Sequence, residues 1–194
     1  MTPVNRFLQS VVTMEANDKG IRALELKARL NRVRETDAVE YPTCVLEILQ
    51  FLFSPDLVDG QVEVMSVMGR ERRDVVFTNV SAKPLWAFLR WEHDGSLLRF
   101  AIENVVTLND DHLFQSVECI GDRLSTLGFI VTRSAPSLDL VDRSYAIFKN
   151  SIPRKAILIL SDLDLKAMLD LRSSGRDPLT YIQTLYRGFR NSVQ

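Results

Sequence analysis

Two acids, Asp74 and Glu103, stand where strand-forming runs meet polar sequence. Asp74 opens the run Val75-Val76-Phe77, and Glu103 closes the run Leu97-Leu98-Arg99-Phe100-Ala101-Ile102. Carboxylates at the ends of neighbouring strands could seat a divalent cation, because hard cations want oxygen ligands on a rigid support. The competing reading is that each is an ordinary strand-end residue. Arg70, Arg72, Arg73 and Arg133 lie close by in the pattern and could contact phosphates. The competing reading makes them surface ion pairs with Glu71 and other acids.

Other chemistries have less to stand on. His93 and His112 are the chain's only histidines, and neither falls in a metal-ligand spacing. Nothing links Cys44 or Cys119 to either histidine as a nucleophile and base. There is no glycine-rich phosphate loop.

The elements that must position the acids follow from periodicity. Residues 4–16 place Val4, Phe7, Leu8, Val11 and Val12 at helical spacing. Asn17-Asp18-Lys19-Gly20 reads as a break, and residues 21–34 as a second, highly charged amphipathic helix. Together they form an N-terminal helical extension, residues 1–40, expected to pack on the core, meet a protein partner or act as a dimerisation arm. Thr43 is the expected N-cap of an almost wholly apolar helix that includes Val45, Ile48, Leu49 and Leu52. Glu47 lies inside that helix and needs a partner or a role.

Strands over 61–67 and 73–79 flank the polar turn Gly69-Arg70-Glu71-Arg72 and should be antiparallel. Pro84 to Trp91 reads as a short helix whose aromatics serve the core or a lid rather than base stacking. A strand over 97–103 follows. Asn109-Asp110-Asp111 starts a helix reaching about Thr126, with Leu113, Phe114, Val117, Ile120 and Leu124 on one face and Gln115 on another. A strand over 127–132, a helix over 138–150 and a strand over 156–160 come next. The last strand is apolar throughout, as in a parallel sheet covered on both faces. Helices over 162–173 and to about Phe189 finish the chain. The order implies an α/β fold with a mixed sheet of about five strands flanked by helices.

The 194 residues suffice for one sizeable core, and 46% are hydrophobic. With 24 basic and 25 acidic side chains the net charge is −1, so no global charge argument favours nucleic acid. Two widely separated cysteines among apolar residues suggest a reduced compartment. No stretch is long and apolar enough for a membrane span, and a cytoplasmic location is expected.

The element order and several short motifs resemble the restriction-endonuclease-like, or PD-(D/E)XK, nuclease superfamily. The residues that carry the likeness are Glu47 in its buried helix, Gly-Arg-Glu-Arg-Arg-Asp74-Val-Val-Phe, and Phe-Ala-Ile-Glu103. The helix with Gln115, the run Gly-Phe-Ile-Val-Thr-Arg133 and the tail Ile-Leu-Ile-Leu-Ser-Asp-Leu-Asp-Leu add to it, the tail being similar to bacterial restriction and defence domains. The likeness places the nuclease-like domain at residues 41–194. It implies Asp74 and Glu103 as Mg²⁺ ligands, Glu47 as an auxiliary acid, Gln115 as an orienting group, DNA as the partner and a homodimer as the working form. The family's lysine, two residues after the second acid, is replaced by Val105. That departure implies a degenerate domain used for nucleic-acid or protein recognition. The alternative is an active Mg²⁺-dependent DNA endonuclease with a relocated Lys or Arg.

Overall fold

The computed structural model describes residues 3–67, 70–120 and 125–194, with side chains described for 17–64, 72–120 and 125–194. Its centre is set by two short strands, β4 (Leu127–Thr132) and β5 (Ala156–Ser161), apolar up to a final Thr or Ser and with every residue buried. They run parallel to each other and to β3 (Leu97–Glu103). β3 pairs antiparallel with β2 (Arg70–Asn79), which pairs antiparallel with β1 (Leu57–Val67). The sheet order is β1-β2-β3-β4-β5, a five-stranded mixed sheet in which β2 alone runs against the rest.

Helices cover both faces, making the fold α/β. The larger core packs one face against α1 (Pro3–Arg32), α2 (Glu40–Phe53), α3 (Pro84–Glu92), α6 (Asp162–Ser173) and α7 (Leu179–Ser192). The smaller core gathers Ala101, Ile130, Ile157 and Ile159 from the other face with Leu113 of α4 (Asp110–Glu118) and Leu140 of α5 (Leu138–Asn150). No described helix is long and apolar enough to cross a membrane.

Local chemistry explains most boundaries. Ser137 caps α5 by accepting from Leu140 N, and Ser161 and Asp164 form a reciprocal capping box on α6. Asn109 and His112 do the same on α4.

Some expectations are corrected. The break at Asn17-Asp18-Lys19-Gly20 does not occur, and α1 is one continuous helix through it. Gly20 costs a helix interior about 1 kcal/mol. Burial of Leu26 and Leu30 in the larger core is worth roughly 2 kcal/mol each, which outweighs it. Helix α2 begins at Glu40, ahead of Thr43. The Asp37 carboxylate accepts from Glu40 N at 2.9 Å, so the start is served from outside the helix. Helix α4 stops at Glu118 and leaves Phe114 exposed; Leu124 lies outside the described residues. Strand β1 starts four residues early, at Leu57, with a register irregularity between Val58 and Gln61. Gly60 is required there, since a Cβ would run into the Phe77 ring.

Candidate functional site

Alternation along the strands decides which candidates meet. Asp74 pairs with Ala101, and Arg73 with Ile102, so the next rung sets Arg72 opposite Glu103. Arg72, Asp74, Arg99 and Glu103 therefore share one face, that of the smaller core. Glu63 of β1, the rung partner of Asp74, joins them.

Asp74 lies at the centre of this group and is wholly buried. Its Oδ1 accepts from Arg72 Nε at 2.6 Å and its Oδ2 from Arg99 Nη1 at 2.8 Å. The side chains of Arg72 and Arg99 are 4% and 11% exposed. A carboxylate this deep is tolerated only when charge partners replace its lost hydration. Arg99 also reaches Glu63 at 3.1 Å, extending the chain of charges toward solvent. Desolvation is the largest influence on the Arg99 pKa and would lower it, but the hydrogen bond to Asp74 and the charges of Asp74 and Glu63 together outweigh it, and the net shift is upward.

Glu103 stands one rung further along. Burial pushes its carboxyl up to about 7, an effect that Arg72 opposes and Asp74 reinforces. Its Oε2 is 3.8 Å from His112 Nε2 on α4. Its Oε1 and the Arg72 Nη1 are buried without a hydrogen-bond partner among the described residues. Gln115 is half-buried on α4, three residues after His112 and four before Cys119. That helical spacing puts it on the same side of α4 as both.

The other candidates lie elsewhere. Glu47 binds Arg29 at 2.5 Å and Arg22 at 2.9 Å, both on α1, and the Arg29 hydrogen bond holds its pKa down. Arg133 donates to Asn104 Oδ1, to Asp162 and to the backbone carbonyls of Leu30 and Val33, and its guanidinium sits 4.2 Å over the Tyr41 ring. Asn104 donates to the carbonyls of Arg34, Glu35 and Asp37 at 2.9–3.1 Å. Both residues thus fasten the segment between α1 and α2 across the C-terminal ends of β3 and β4. Arg73 is half-buried on β2, facing away from Asp74. The Arg70 side chain lies outside the described residues.

The donor set does not fit a resident Mg²⁺ as it stands. Both Asp74 oxygens are held by buried guanidinium groups, burial raises the Glu103 carboxyl to about 7 so that it is only partly ionised near neutral pH, and Glu47 faces α1. Among the described residues, no three His, Cys, Asp or Glu side chains are grouped to hold a metal ion.

Sequence reasoning left Glu63 and His112 out of this cluster. Glu63 could have been found from alternation on the first strand, once its rung with Asp74 was counted. His112 could not, because it arrives through the packing of α4 on the sheet. Comparisons with protein-family models, curated proteins and solved structures give no match.

Proposed function

We propose that this chain is a nuclease-like domain, of the restriction-endonuclease-like kind its motifs resemble, in which the cleavage site has become a structural ion-pair cluster. Its role is then recognition of nucleic acid or protein, as in bacterial defence systems, rather than phosphodiester hydrolysis. The observation that carries this reading is the double clamp of Arg72 and Arg99 on Asp74. Val105, at the position of the family's lysine, supports it. A cation that helps hold charge in the transition state is worth several kcal/mol when present, and no lysine follows Glu103 to supply it.

An active endonuclease is the second reading. It is favoured by one observation, the buried Glu103 Oε1, which has no hydrogen-bond partner among the described residues. The test is incubation with supercoiled plasmid and with single-stranded DNA in Mg²⁺ or Mn²⁺, alongside calorimetric titration of Mn²⁺. Recognition without catalysis gives intact DNA and no heat of metal binding. Metal-dependent cleavage that disappears in both Asp74→Ala and Glu103→Ala would overturn the proposal and identify an enzyme.

A further inference from the structure

β5 is the outermost strand of the sheet, with β4 on one side and no described strand on the other. Ala156 N donates to the Thr126 carbonyl at 2.8 Å, which sets the phase of the ladder. In a parallel pair, alternate residues turn both backbone groups toward the neighbour. Ala156, Leu158 and Leu160 therefore face β4, and Ile157, Ile159 and Ser161 face outward. Ser161 N donates to Asp164 Oδ2 at 2.6 Å. The N–H and C=O groups of Ile157 and Ile159 have no hydrogen-bond partner among the described residues, although both residues are buried. A bare strand edge is a template for another strand, and charges, prolines or bulges usually blunt it. The run Ala-Ile-Leu-Ile-Leu-Ser has none of these.

Helices α5 and α7 flank this edge, and both run back along it. Arg154, just before β5, lies over the ring of Phe148 near the end of α5, while Tyr181 near the start of α7 donates to Asp164, just past the end of β5. Phe189 meets Phe148 and Tyr145 with ring centroids 5.3 and 5.6 Å apart, and these rings close the first part of the edge. Beyond them a pocket of about 290 Å³ opens toward Ser161. Ile157, Leu158 and Ile159 all line it. Alternation puts Leu158 on the opposite sheet face from the two isoleucines, so a pocket that touches all three looks straight at the strand edge. Its walls include Val141 of α5 and Leu185 of α7, and Ala135 and Leu163 stand exposed on its rim, Leu163 by 68%. Asp164, the one charged side chain that lines it, already accepts from Ser161 and Tyr181. An apolar cavity of about 150 Å³ takes a benzene ring, so this one has room for a large side chain and the backbone that carries it.

We propose that this edge docks an extended, uncharged hydrophobic segment of a partner protein. The segment's backbone pairs with the N–H and C=O of Ile159, and one of its apolar side chains fills the space between Val141 and Leu185. The unpaired backbone groups call for a peptide strand, and the apolar, uncharged lining sets its side chains. The site shares no residue with the cluster around Asp74, so the proposal stands whether or not that cluster cleaves DNA.

The experiment is a titration of the ¹⁵N-labelled full chain with the capped pentapeptide Ser-Val-Leu-Val-Ser, followed by amide resonances and amide exchange. The expected result is a saturable shift of the Ile159 amide and slower exchange at that site, with little change at Ala156, whose N–H is already bonded to the Thr126 carbonyl. Leu163→Glu and Ala135→Trp, both at exposed rim positions, each weaken binding roughly tenfold. Thermal melts confirm that both variants are folded. Two further peptides are N-methylated, one at the central residue and one at the two residues beside it. Whichever register the segment takes, one of the two lacks the N–H that pairs with the edge and fails to bind. No shift of Ile159 at any peptide concentration overturns the proposal, as do two methylated peptides that bind as well as the parent. An Ile159 shift that grows with protein concentration in the absence of peptide also overturns it, and assigns the edge to a second copy of the chain.

Discussion

Arg99 Nη1 meets Asp74 Oδ2 at 2.8 Å along a diagonal of the β2–β3 pairing, since Arg99 itself stands opposite Val76. The same arginine holds Glu63 on β1, so one guanidinium ties three strands together on the face of the smaller core. Removing its central partner takes the ion pair from buried Arg72 and leaves Arg99 only its contact with the more exposed Glu63. Asp74→Ala is expected to cost about 3–5 kcal/mol. Glu63→Gln, at the more exposed end, costs below about 1 kcal/mol. Urea denaturation of both variants checks the ranking, and equal losses would contradict it.

Two buried groups should oppose each other in the pH profile. His93 contacts Tyr186 Oη at 2.8 Å and Thr126 Oγ1 at 3.1 Å, and burial pushes its pKa down to about 4. Between its unfolded value near 6.5 and about 4, the unfolded chain binds more protons, so this contribution to stability is lost as pH falls. Glu103 works the other way. Its pKa of about 7 means the folded chain holds the extra proton above about 4.5, and that contribution is lost as pH rises through 7. Each full effect is roughly 3 kcal/mol. The native chain should therefore vary little in stability between about pH 5 and 6.5. Glu103→Gln should make stability climb with pH over that window, and His93→Gln should make it fall. Chemical denaturation at three pH values measures the slopes.

Two glycines should respond in opposite directions. Gly20 is inside α1 with open space where a Cβ would stand, so Gly20→Ala is expected to stabilise by about 0.5–1 kcal/mol. Gly60→Ala drives a methyl into the Phe77 ring and is expected to destabilise by roughly 1–3 kcal/mol. Melting temperatures of the two variants should move apart on either side of the native value.

Arg133→Ala removes the hydrogen bonds to the Leu30 and Val33 carbonyls and uncovers Asp162, which also accepts from Tyr41 Oη at 2.8 Å. A loss of roughly 3 kcal/mol is expected. Amide hydrogen exchange should speed up in the last turn of α1 before it does in β4. Arg133→Lys keeps the charge but not the planar fork, and should recover less than half of the loss.

Strands β3 and β4 and helices α5 and α6 are legible in the sequence, because apolar runs of strand length and Ser caps mark them directly. That Asp74 and Glu103 share a face follows from strand alternation once the β2–β3 register is known. Their present partners do not. Arg72 reaches Asp74 from two residues away on the same strand, and Arg99 reaches it diagonally, so both pairings depend on side-chain direction rather than spacing. Glu47 has its acid-binding arginines on α1, and their meeting depends on how α1 and α2 lie against each other. The continuity of α1 was hidden for the same reason: Gly20 carries a local helix penalty, while the burial that overrides it is tertiary.

The docking of α1 carries a cost during synthesis. Ala23, Leu26 and Leu30 are sealed in the larger core, and Lys27 pairs with Asp170 on α6. A ribosome adding about 5–20 residues per second needs on the order of 10 s or more to travel from one partner to the other. Through that interval only α2 is there to pack on the nascent helix, and the part of its apolar stripe that meets α6 stays uncovered. Chaperone capture should therefore concentrate on the first 35 residues and end when α6 clears the exit tunnel.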